Sequence, residues 1–205
     1  RVFKNGESCR LRKIQKEYLP KHYPQKRVLG VIRPLVEEAA RITKNKRVGV
    51  IGTRGTISSD AYVRELKTQD PEILVYQNAA PLLVPLIEEG WMRRPEAKKI
   101  IKYYLRPLKN NKIDTLILGC THYQIFLPLA QEMIGGRCKV LHSGSIVSQS
   151  LKNYLERHLE IEQSLVMGNN HRYYVTDITQ VFQNNASKWL GHKIHLEKAN
   201  IDTQS

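Results

Sequence analysis

Short β-branched runs alternate along the chain with longer stretches in which apolar residues recur every three or four positions. Runs at 28–32, 47–51, 73–76, 115–118 and 138–141 predict strands, and 115–118 (Thr-Leu-Ile-Leu) is the most clearly buried of them. Helical periodicity predicts helices from Pro34 to about Thr43, over 82–89, from Pro95 to about Leu108, and over 123–133 and 145–158. Polarity rises over 160–172, where Gly168-Asn169-Asn170 signals a turn. A strand at 173–176, a helix at 178–190 and a strand at 193–196 then close the chain. Strands that alternate with helices in this way predict an α/β fold with parallel sheets wrapped in helices. No short-period repeat or low-complexity segment interrupts the pattern.

Composition narrows the class. At 205 residues, 41% hydrophobic and 25% charged, the chain falls in the globular range and can bury one large core or two modest ones. No apolar run approaches 18 residues, and the first dozen residues are polar and basic, so no membrane association is expected and a cytoplasmic location is predicted. The first residue is Arg, which predicts that the chain begins inside a longer reading frame or after processing. The net charge of +14 raises the prior for nucleic acid, but the bases are dispersed. A solvated basic surface is therefore the preferred reading, and nucleic acid is not the expected partner.

Three cysteines, Cys9, Cys120 and Cys138, show no Cys-x-x-Cys pairing, so free thiols are expected and no metal site is predicted. Cys120 follows the buried run and a glycine, at the predicted mouth of a helix. Helix N-termini offer unpaired N–H groups and partial positive charge, which favour thiolate. His122 can then act as proton partner, while Thr121 offers a hydroxyl and an N–H to a carboxylate. On these residues alone a second reading stands beside the first: Cys120 packs under the sheet and His122 caps the helix. Cys138, inside a predicted strand, reads as a core residue.

Gly119-Cys120-Thr121-His122-Tyr123 resembles the second catalytic-cysteine motif of the glutamate racemases, within the aspartate/glutamate racemase superfamily. Further segments resemble the same family in order. Residues 30–34 are similar to its crossover between domains, and 52–62 to its Thr-rich loop, with Thr53 and Thr56 as substrate-binding candidates. Residues 80–90 are similar to the segment carrying its auxiliary glutamate, placed at Glu88, and Tyr174-Val175-Thr176-Asp177 with Phe182, Leu190 and Gly191 to its closing strand and helix.

The resemblance implies two pseudo-symmetric parallel-sheet α/β domains facing a cleft, with one cysteine from each. Here the first domain, 1–33 with 143–205, is incomplete, and the second, 34–142, carries the Cys120 site. It further implies cofactor-independent interconversion of L- and D-glutamate by cysteine acid/base chemistry, without pyridoxal phosphate, flavin or metal, supplying D-glutamate for peptidoglycan. Glutamate is the implied small-molecule partner, and a homodimer remains open. Catalytic roles fall to Cys120, His122 and Glu88, with Thr121 and His122 contacting substrate. Cys9 lies 111 residues before Cys120, the separation expected of the first catalytic cysteine. It is followed by Arg10-Leu11-Arg12 rather than the family's Cys-Asn-Thr-Ala, and no Asp-Ser-Gly loop is found. Cys9 thus stands open between first catalytic thiol and terminal free thiol. A racemase-like binding protein lacking one half-site is the alternative function. His142 also departs from the pattern, since an acidic residue is expected there.

Overall fold

A computed structural model describes residues 19–24, 29–165, 168 and 171–199. Four parallel strands form the principal sheet: β1 (Arg47–Gly52), β2 (Leu74–Ala79), β3 (Thr115–Leu118) and β4 (Lys139–Val140), in the order β2-β1-β3-β4. The order follows from which runs are apolar on both sides. Five of six β1 residues and all four of β3 are buried, so these two occupy the middle, while β2 is only partly covered and lies at the edge.

Alternation along β1 and β3 divides the core into two layers. Val48, Val50 and Ile117 face one side, against Leu35, Val36 and Ala39 of helix α1 (Ile32–Ile42). Beyond a one-turn helix α2 (Arg54–Ser58), helix α3 (Ala61–Gln69) adds Tyr62 and Leu66 to the same layer. Ile51, Leu116 and Leu118 face the other side. They meet helix α4 (Leu83–Glu88), helix α5 (Pro95–Asn110), and the 3₁₀ turn Thr121–Phe126 with helix α6 (Leu127–Ile134). Burying an aliphatic side chain of this kind contributes about 1.5–3 kcal/mol. The sheet is therefore covered on both faces, as parallel strands require.

Asp114, just before β3, locks the start of the sheet. Its carboxylate accepts from the Thr43 hydroxyl at 2.6 Å and from the Lys44 and Asn45 N–H groups at 2.6 and 2.8 Å. Burial alone would raise its pKa, yet these hydrogen bonds hold it below the ordinary carboxylate value.

After the principal sheet come helix α7 (Ser143–Glu156), which packs on α1, and the short helix α8 (Leu159–Glu162). A second parallel sheet pairs β5 (Tyr173–Val175) with β6 (Leu196–Lys198), joined by helix α9 (Gln180–Leu190). Among the described residues of 143–199, Ile194 and Leu196 are the buried apolar side chains. The fold is α/β with parallel sheets, as the alternation predicts.

Several elements differ from the sequence reading. No strand forms at 29–31, and Ile32 already opens α1. The β-branched run finds no strand to pair with, so Leu29 and Val31 remain exposed while Ile32 packs on the α1 layer. The helix expected over 123–133 is a 3₁₀ turn followed by α6, because Pro128 has no N–H to continue an α-helical ladder from the preceding turn. Helix α7 begins two residues early because His142 caps it, Nδ1 accepting from the Ser145 N–H at 3.0 Å. The closing strand lies at Leu196–Lys198 rather than 193–196, since pairing with β5 starts only at Leu196. Among the described residues, no helix is long and apolar enough to cross a membrane.

Candidate active site

The strand order reverses between β1 and β3, and a glycine that admits a close neighbour stands at the end of β1 and directly after β3. At such a switch point the carboxyl ends of adjacent strands diverge and leave a crevice. Gly52 closes β1 and is followed by Thr53, while Gly119 and Cys120 follow β3. A Cβ on Gly119 would lie 3.0 Å from Tyr62 Cε2, 3.3 Å from the Ile51 carbonyl oxygen and 3.4 Å from Thr56 Cγ2. The motif therefore needs glycine at this position for packing, and the Gly119 N–H still donates to the Ile51 carbonyl at 2.8 Å.

Cys120 is extended and precedes the 3₁₀ turn, with its side chain partly buried. Its sulfur lies 4.0 Å from His122 Nδ1, and His122 Nε2 lies 3.7 Å from Glu88 Oε1. Thiol, imidazole and carboxylate thus form a line. Tyr123 fixes this line from beneath: it is fully buried, and its hydroxyl donates to the Ala80 carbonyl at 2.7 Å. Ala80 opens the turn into α4, whose last residue is Glu88, so one phenol ties both halves of the line together.

Burial raises the Cys120 pKa, while the backbone N–H groups of His122 and Tyr123 pull it down without cancelling the rise. This corrects the expectation that a helix mouth would make Cys120 acidic. The element is a 3₁₀ turn and not the α-helix expected there, and desolvation outweighs its N–H groups. Tyr62 and Tyr123 are likewise pushed up, mainly by burial and then by the neighbouring thiolate charge, so both phenols remain neutral beside the sulfur. Cys138 is buried just before β4, with its pKa pushed up to about 12 by burial and by Asp114.

The other expected residues are distributed unevenly. Thr53 caps α2, its Oγ1 accepting from the Thr56 N–H at 3.2 Å and hydrogen-bonded to the Thr56 hydroxyl at 3.0 Å. Both stand at the β1 side of the crevice with Thr56 Cγ2 turned toward Gly119. Thr121 is exposed at the start of the 3₁₀ turn. Cys9 lies outside the described residues. Among the described residues no group of His, Cys, Asp and Glu side chains is arranged to hold a metal ion. Two contacts escaped the sequence reading. Asn185 Nδ2 donates to the Glu88 carbonyl at 2.7 Å, and the Trp189 ring stands edge-on to the His122 ring at 6.2 Å and 86°. Neither carries a local sequence signal, because Asn185 is 97 residues from Glu88.

A doubly wound α/β sheet with a cysteine–histidine pair at its switch point defines a class of site suited to acid/base chemistry on a small molecule. Residues 20–150 match the family model for Asp/Glu/Hydantoin racemase, and the chain belongs to that family. It is 39% identical over 167 residues to a glutamate racemase from Geobacter metallireducens, an alignment covering 82% of this chain and 62% of that protein. Against a glutamate racemase from Sulfurihydrogenibium the identity is 40% over 158 residues, covering 76% and 56%. The chain thus spans about three fifths of the length of the curated relatives it matches. Among solved structures, glutamate racemase from Francisella tularensis in complex with D-glutamate superposes with a TM-score of 0.81 at 29% identity, covering 95% of this chain and 72% of that one.

Proposed function

We propose that this chain carries the Cys120 half-site of a glutamate racemase and that its chemistry is proton transfer at the α-carbon of glutamate. The observation that carries the reading is the line Cys120, His122, Glu88 at the end of β3. In it the neutral Cys120 thiol donates its proton to one face of the carbanion, and the thiolate takes a proton from that face in the reverse direction. His122 Nδ1 faces the sulfur and relays charge toward Glu88. Partial enclosure strengthens these electrostatic contacts, which matters because the α-proton is weakly acidic and only positioned groups stabilise the carbanion. The similarity to glutamate racemases, one of them holding D-glutamate, supports glutamate as substrate. In this reading 34–142 is the complete domain, 1–33 and 143–205 belong to the other, and the product serves peptidoglycan synthesis in the cytoplasm.

Inversion needs an acid or base on each face, and the 205 residues house one such thiol in the family's motif. The chain is therefore expected, in D₂O, to exchange the α-proton of one glutamate enantiomer far faster than it interconverts L- and D-glutamate. Proton NMR with chiral chromatography reads both rates. Equal exchange of both enantiomers in the presence of Cys120→Ala would overturn the assignment.

A further inference from the structure

We infer that helix α9 is the positioning element of the acid/base line, acting through Asn185 on Glu88 and through Trp189 on His122. This deepens the proposed function and rests on its assignment of Cys120, His122 and Glu88. Asn185 and Trp189 are four residues apart, so they share one face of α9. That face meets the end of α4 and the 3₁₀ turn, although α9 itself belongs to the second sheet.

The two contacts do different things. The Glu88 carbonyl is among the last of α4, and the final carbonyls of a helix lack partners within it. The Asn185 amide supplies one at 2.7 Å and so anchors the backbone from which the Glu88 carboxylate reaches His122. Glu88 is exposed and its carboxylate stands 3.7 Å from the imidazole, so without the anchor solvent and side-chain entropy would compete strongly with the pairing. Trp189 stands edge-on to the imidazole, a contact that limits rotation of the ring. Together they keep Nε2 toward Glu88 and Nδ1 toward the Cys120 sulfur. A proton leaving Cys120 then has a base at Nδ1 and a counter-charge behind it.

The test is a double-substitution cycle read on Cys120 alkylation by iodoacetamide near neutral pH, a measurement that needs no substrate. In the parent chain Glu88→Gln is expected to slow alkylation about threefold or more, a coupling within the range found for contacting residues. In Asn185→Ala and in Trp189→Leu the same substitution is expected to change the rate hardly at all. Trp189→Phe, which keeps an aromatic edge, is expected to retain most of the Glu88 effect. If α9 merely covers the site, its substitutions alter the rate but leave the Glu88→Gln ratio unchanged, and the proposal falls. It falls equally if Glu88→Gln has no effect in the parent. Because α9 buries none of its own residues, these substitutions remove no core packing, and circular dichroism confirms the fold of each. A normal cycle with no glutamate exchange would refute the substrate and leave the role of α9 standing.

Discussion

Alanine at position 120 is expected to lower deuterium incorporation into glutamate at least about 100-fold, the low end of what a positioned acid or base contributes. The thiol stands at the carboxyl end of β3, where the crevice opens, and in the proposed chemistry it is the group that exchanges a proton with the α-carbon. His122→Asn should be milder, because Cys120 keeps the N–H groups of His122 and Tyr123 that partly offset its burial. Cys9→Ala distinguishes two situations. If the chain exchanges protons on one face, this substitution leaves the exchange rate intact. Rapid and equal interconversion of both enantiomers, abolished by Cys9→Ala, would identify Cys9 as the second thiol and end the half-site interpretation. Substrate exchange must be read alongside inversion, because inversion alone reports on both faces at once.

The second large effect concerns thiol chemistry. With a small alkylating reagent at pH 8, Cys120 is expected to react at least about 100-fold faster than Cys138. Both thiols are raised by burial, but Cys120 is partly exposed and two N–H groups oppose the rise. Cys138 is buried, lies near Asp114 and has its pKa pushed up to about 12, so only about one molecule in ten thousand is thiolate at pH 8. Thiolate grows as pH rises, so both rates should increase on going from pH 7 to pH 9, and that of Cys138 should still be climbing at pH 10. Peptide mass spectrometry after timed quenching separates the two. Modification of Cys138 first would mean that the sheet opens before the crevice is reached, and would count against the placement of Cys120.

Much of this was legible in the chain because the decisive features are local. A β-branched threonine, three aliphatic residues, a glycine and a cysteine mark 115–120 as a strand ending in a thiol, and β3 has the predicted limits. Residues 29–32 have similar types but form no strand, because a strand also needs a partner and no residue within the segment records whether one is there. The residues around Cys120 place its thiol at a strand end, where the structure has it, but they point to a lowered pKa where burial raises it. Helix-terminal N–H groups can be inferred from neighbouring residues, whereas burial of the thiol depends on distant parts of the chain such as Tyr62, which come near Cys120 only through folding. His142 shows the same limit in milder form, since a departure from an acidic family position becomes intelligible once its ring nitrogen is seen capping α7. Asn185 and Trp189 carry no signal for the strongest version of this reason: their meaning lies entirely in contacts with residues far along the chain, 97 residues away for Asn185.

The second sheet is built from two three-residue strands, and Ile194 and Leu196 are the buried apolar side chains among the described residues around it. A two-stranded pairing of this size is marginal in isolation. The consequence is one of lifetimes: local opening of 173–198 should occur far more often than opening of β1 and β3, whose side chains are buried on both faces. Native-state hydrogen exchange should show this as amides of β5, β6 and α9 exchanging at least about 100-fold faster than those of β1 and β3, and equal protection would refute it. Each such opening carries Asn185 and Trp189 away from Glu88 and His122 while leaving Cys120, His122 and Glu88 on the principal sheet's side, so the line itself is lasting and the contacts that brace it are intermittent.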